Sequence, residues 1–266
     1  MILWTVLAAT MLIAFSLPMI GQRVLERRIV FVDLALAQVA ATGYALGMAI
    51  DISSTYTAAG MTAFTALMLA TISEDSLLPK EAVMGAVYAS ASALGMVMLS
   101  VLPHGEGQLM ELLFGSILGL DWEAIGVLGI FAIVGMALAF PEHSNTYLDR
   151  LRFYTGLSLI IVPAIHALGI MLVFSFLVMP AICVWRHGHN GPGWQAIALA
   201  LGASLIGVVL SDFLNLPPSA TVVLVLSVFS IVFGTIIHFV VPKPEEAASE
   251  PEADTKNQRR NSMDDE

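Results

Sequence analysis

Residues 27–47 read RRIVFVDLALAQVAATGYALG, and this stretch decides the class of fold. Arg27 and Arg28 stand at the mouth of an apolar run, Asp33 and Gln38 lie inside it, and Gly43 and Gly47 close it. Paired basic residues beside an apolar run mark a cytoplasmic membrane flank. A carboxylate within a span is costly and faces a bundle interior or a pathway. Gly43 and Gly47 form a GxxxG pair, which lets two helices approach closely. The stretch therefore predicts a spanning helix that starts on the cytoplasmic side and carries candidate functional side chains.

The rest of the chain agrees. Its 266 residues are 58% hydrophobic and 12% charged, against roughly 25% charged in soluble domains. The formal net charge is −10, with no basic face of the kind nucleic-acid binding needs. Cys183 is the only cysteine, which excludes an internal disulfide and a thiolate metal cluster. None of the three lysines, Lys80, Lys243 and Lys256, follows a glycine. The chain thus lacks the GxxxxGK[ST] loop that cradles nucleotide phosphates. It also lacks an H-E-x-x-H helix and a nucleophile motif, so an intramembrane enzyme has no motif behind it.

A spanning helix needs about 20 apolar residues. Candidate spans are 2–20, 29–50, 57–73, 82–102, 123–140, 153–167, 168–185, 195–211 and 220–241. The first has no basic n-region or A-x-A site and reads as an uncleaved span. The stretch 153–185 would be about 50 Å long as one helix, so we read it as a tight hairpin, with Pro163 and Gly169 as places to break. Before the tail the basic residues are Arg23, Arg27, Arg28, Lys80, Arg150, Arg152 and Arg186. With the hairpin, all seven fall in alternate loops. The positive-inside rule then puts those loops and the tail in the cytoplasm and the N-terminus outside. Residues 109–120, LMELLFGSILGL, are too short to span and predict a re-entrant or interfacial helix. The expected organisation is an all-α polytopic membrane bundle of about 8–9 spans over residues 1–242. A disordered, acidic cytoplasmic tail is expected over 243–266, where eight acidic residues face four basic ones. The triplet Ala-Leu-Gly recurs at 45–47, 93–95 and 167–169, and all three are read as packing glycines.

Several residues carry possible chemistry, each with a plainer reading beside it. Asp33 is either a structural partner near the interface or a transport site. Gln38 either bonds a neighbouring helix or offers an amide oxygen to a passing cation. His166, before the 167–169 turn, either packs or lines a pathway as a neutral imidazole. His104 and Glu106 lie in an outer loop. His187 and His189 form an i, i+2 pair in a cytoplasmic loop, and two residues do not complete a metal site.

Four patches resemble the integral membrane permeases of the metal-type ABC importers, the zinc, manganese and iron uptake family. They are residues 27–47, 74–100 (EDSLLPKEAVMGAVYASASALGMVMLS), 111–121 (ELLFGSILGLD) and 167–181 (ALGIMLVFSFLVMPA). Asp212 and 215–224 (NLPPSATVVL) fit the family's closing segment. The resemblance runs from about residue 21 to 238. It implies a non-catalytic permease for divalent metals or their chelates in the bacterial inner membrane, with no cofactor and no stably bound metal. It also implies partners: a second permease subunit, identical or a paralogue, cytoplasmic ATP-binding subunits that hydrolyse ATP, and an extracytoplasmic metal-binding protein. Membrane lipid surrounds such a chain, and nucleic acid is not a partner.

The family places an aspartate and a histidine four residues apart in the helix after the paired arginines. Aligned on Gly43, those positions here hold Leu34 and Gln38, and Asp33 sits one residue earlier, about 100° around the helix. The family's ATPase-docking loop corresponds to Phe140–Arg152, FPEHSNTYLDRLR. Pro141, Glu142, Arg150 and Arg152 are its candidate contacts. The alternative function is an ion-coupled secondary transporter that uses the intramembrane carboxylate of Asp33.

Overall fold

The computed structural model describes residues 2–72, 79–101, 107, 110, 113–115, 120–140, 147–186, 189–190 and 193–240. In chain order the described helices are α1 (Ile2–Glu26), α2 (Val32–Ala49), α3 (Ser54–Ala70), α4 (Lys80–Val101), α5 (Trp122–Ala139), α6 (Tyr147–Leu168), α7 (Ile170–Val184), α8 (Gly193–Leu214) and α9 (Pro218–Val240). Two antiparallel two-residue strands, β1 (Trp185–Arg186) and β2 (His189–Asn190), join α7 to α8. The nine predicted spans meet these nine helices one for one. By length and composition, all but α3 and α7 are long and apolar enough to cross a membrane. Those two have 17 and 15 residues. Of the segment 109–120, residues 110, 113 and 114 are helical, and most of the rest lies outside the described residues. The tail 243–266, residues 141–146, the loop with His104 and Glu106, and His187 also lie outside them.

Small residues set the helix seams. A Cβ on Gly43 would stand 2.8 Å from Ala58 Cα, and one on Gly47 2.6 Å from Ser54 Cα. The GxxxG pair thus presses α2 against the backbone of α3. Gly135 and Gly156 do the same for α5 and α6, where either Cβ would meet the other's carbonyl at 2.6 Å. Thr42 adds a polar tie, since its hydroxyl lies 2.7 Å from Ala91 O on α4 and 2.8 Å from Gln38 O.

The helices alternate in direction. At one end Arg27 Nη2 donates to Asp149 Oδ2 at 2.7 Å, with its guanidinium over the Phe153 ring at 4.5 Å. Arg23 donates to Ala139 O at 3.3 Å, and Arg150 Nε donates to Ala70 O at 3.1 Å. This end therefore gathers the finishes of α1, α3 and α5 and the start of α6. At the other end the Ser219 hydroxyl at the start of α9 bridges Leu168 O, 3.0 Å away, and Phe114 O, 2.7 Å away. Gly21 of α1 packs on Leu177 and Ala181, so α7 runs back toward the basic end as the hairpin reading requires. The positive-inside rule makes the arginine end cytoplasmic.

The break in 153–185 falls at Gly169 and not at Pro163, which α6 carries within it. Gly169 has φ +85° and ψ 157°, a conformation essentially restricted to glycine. A Cβ there would lie 2.5 Å from Gly115 N and from Leu113 O. Of the three Ala-Leu-Gly glycines, Gly47 and Gly95 pack helices and Gly169 ends one.

Gly169→Ala should lower the thermal unfolding midpoint of the purified chain strongly, by the equivalent of at least about 2 kcal/mol. Gly60→Ala, with nothing within 4 Å of its Cβ, should leave the midpoint unchanged or raise it.

Candidate functional site

Asp33 falls in the first turn of α2, where the positive end of the helix dipole favours a carboxylate. It is fully buried, and neither carboxylate oxygen has a hydrogen-bond partner. Gln38 is half-buried, one turn along from Leu34. The i, i+4 spacing puts Leu34 and Gln38 on one partly open face of α2. Tyr44, six residues after Gln38, is turned about 120° from it, and 11 residues after Asp33 it shares the face of Asp33.

That second face looks toward α6, where the Tyr44 ring meets the His166 ring edge-on, with centroids 4.7 Å apart. His166 is exposed at the rim of a cavity of about 520 Å³ between α3, α5 and α6. Thr55, Thr62, Thr155 and Ser158 also line it, among apolar walls. Tyr44 carried no signal in the sequence beyond its place on a spanning helix. The fold thus brings His166 to Tyr44 and does not bring it to the Gln38 face. Among the described residues, no group of three or more His, Cys, Asp and Glu stands close enough to hold a metal ion.

The docking candidates separate in the same way. Arg152 is exposed beside the start of α6, whereas Arg150 is 8% exposed and spends its Nε on the end of α3. A cation there also meets the negative end of the α3 dipole. Pro141 and Glu142 lie outside the described residues.

The model of the ABC 3 transport family matches residues 1–148 and 138–237. The manganese import system permease protein ScaB of Streptococcus parasanguinis is 24% identical over 229 residues, covering 79% of this chain and 80% of that one. The high-affinity zinc uptake system membrane protein ZnuB of Buchnera aphidicola is 25% identical over 253 residues, covering 87% and 96%. Among solved structures, PsaBC from Streptococcus pneumoniae in complex with Fab superposes with a TM-score of 0.66. It covers 92% of this chain and 93% of that one at 19% identity, a likeness of fold.

The Arg27–Asp149 pair exposes only 5% and 12% of its side chains. Removing one partner of such a pair strands a buried charge. Asp149→Asn should destabilise the chain by about 3 kcal/mol. The double change Arg27→Met with Asp149→Asn should recover part of that loss in thermal melts.

Proposed function

The chain belongs to the ABC 3 transport family, and from that premise we propose that it is the permease subunit of an ABC importer for divalent metal ions or their chelates. The observation that carries the reading is the family match across nearly the whole helical body, on a fold shared with PsaBC. The manganese and zinc permeases among its relatives support the cargo class. The protein is a multi-pass component of the bacterial cytoplasmic membrane.

The permease moves cargo and leaves ATP hydrolysis to separate cytoplasmic subunits. Two permease chains, identical or paralogous, form the pathway between them, and an extracytoplasmic binding protein delivers the metal. The Leu34–Gln38 face of α2 lines that pathway, with the Gln38 amide oxygen as a weak, hard ligand. Weak ligation suits transport, because a tight site would not release its ion. Asp33, on the other face of α2, and His166, on α6 across from that face, are the other pathway candidates. Arg152, Pro141 and Glu142 meet the ATPase, and Arg150 supports them by holding the α6 start against α3. The buried, unpartnered carboxylate of Asp33 is the observation behind the ion-coupled alternative. That alternative requires uptake driven by a gradient without ATP.

Reconstituted in vesicles with its ATPase, the chain should import zinc, manganese or iron only when ATP is supplied. No ATP-dependent uptake of any of the three would overturn the assignment. Gln38→Ala should slow uptake roughly tenfold, about 1.4 kcal/mol of barrier, while Gln38→His should retain more of the rate. Arg152→Ala should weaken ATPase co-purification and leave the melting temperature of the permease unchanged.

A further inference from the structure

The cavity between α3, α5 and α6 has the position, length and wall chemistry of a lipid groove. Both α3 and α5 pack on α6, and among the described residues they form no packed seam with each other. Ala59, Ala63 and Ala124 keep the gap between them open, and Val127, Phe131 and Leu159 make its walls apolar. Two of the four hydroxyls on its lining are committed as donors. Thr62 Oγ1 donates to Ala58 O and Ser158 Oγ to Tyr154 O, each at 2.7 Å. The rest of the lining is mostly alanine, valine, leucine and phenylalanine, so hydrocarbon finds a matching surface there.

Depth agrees with wall chemistry. From Thr155 to His166 the groove runs about 17 Å along α6 at ~1.5 Å per residue. One leaflet of a ~30 Å hydrocarbon core has about that thickness. The His166 end lies away from the arginines and so faces the outer leaflet. Tyr56 and Trp122, 79% and 62% exposed, stand at the outer starts of α3 and α5. Exposed Tyr and Trp at helix ends mark the headgroup level. The polar mouth, with Thr55 and the Tyr44-braced His166, therefore sits at headgroup height, and the apolar floor reaches the leaflet middle. The groove also lies on the Tyr44 side of α2, turned about 120° from the Gln38 face. It is thus separate from the Leu34–Gln38 face, and a lipid seated there takes His166 out of the pathway candidates.

We propose that this groove binds one outer-leaflet phospholipid. An acyl chain lies between α3 and α5, and the phosphodiester is met by His166 and Thr55. The lipid acts as the missing seam between two helices that otherwise share only α6. The proposal rests on the membrane reading of the fold and not on the cargo, so the uptake assay and the lipid assay fail independently.

The test uses the intact transporter, purified in mild detergent from a phospholipid membrane. Native mass spectrometry should show phospholipid retained on the wild-type complex. Ala63→Phe, which fills the groove, should cut the retained fraction roughly tenfold. Ala89→Phe, on the exposed face of α4, should not change it. A photo-crosslinker placed at Val127 should give an adduct with the mass of a phospholipid. Equal retention in wild type and Ala63→Phe would overturn the proposal. So would a Val127 adduct with a second copy of the chain, or with a metal chelate supplied as cargo.

Discussion

A helix end packed inside the bundle must still pair its backbone, because buried groups cannot turn to water. This chain meets that demand at Gly169, and the arrangement of its second half depends on it. The Gly169 amide donates to Ile165 O at 2.8 Å, and its carbonyl accepts from Val173 N at 3.2 Å. The neighbouring carbonyls of Leu168 and Phe114 both reach the Ser219 hydroxyl. Gly115, with φ +82°, packs against Gly169 backbone to backbone. One turn thus reverses the chain, seats the segment before α5 and fixes the start of α9. A side chain at either glycine would push these groups apart.

The cytoplasmic end solves the same problem with charge. Arginines near a membrane surface are expected from topology alone, and three of the six before the tail, Arg23, Arg27 and Arg150, do more than mark orientation. Arg23 and Arg150 donate to the last carbonyls of α5 and α3, and Arg27 neutralises Asp149 while stacking on Phe153. A guanidinium, with its planar fork of donors, suits such mixed duty better than an ammonium. The same residues therefore orient the chain and tie four helix ends together. Arg28 completes the end in another way. It adopts φ +53° where α1 finishes, and the amides of Arg28 and Ile29 bond back to Leu25 O and Val24 O. That is a Schellman turn made without glycine.

The number and order of the described helices were legible in the sequence because hydropathy acts through the membrane, which treats all chains alike. That Gly43 and Gly47 press α2 on a neighbouring helix was legible for a similar reason, since small residues at that spacing have one main use, but which helix it would be was not. What was not legible depended on pairing in three dimensions. Pro163 removes the donor for the Leu159 carbonyl and so looked like a break. The surrounding bundle keeps α6 continuous through it, and the break moves to a glycine that can take a positive φ. Arg150 and Arg152 look alike two residues apart, yet a 200° turn buries one and exposes the other. Tyr44 had no sequence signal at all, because an aromatic on an apolar helix is ordinary until its neighbour is known.

The two faces of α2 explain how one helix serves both stability and the proposed transport. One face is committed: Gly43 and Gly47 press on α3, and Tyr44 meets His166. The other, with Leu34 and Gln38, stays partly open in a single chain. A residue that must meet cargo and release it cannot also be locked into the bundle, and Gln38 makes no side-chain hydrogen bond within the described residues that would hold it there. Asp33 shows the opposite case, since burial removes its carboxylate from any open face. A dipole at the α2 start lowers the cost of that burial without supplying a partner. The face best placed for cargo is therefore the one with the weaker ligand, and a pathway built on it needs a second subunit to close around the ion.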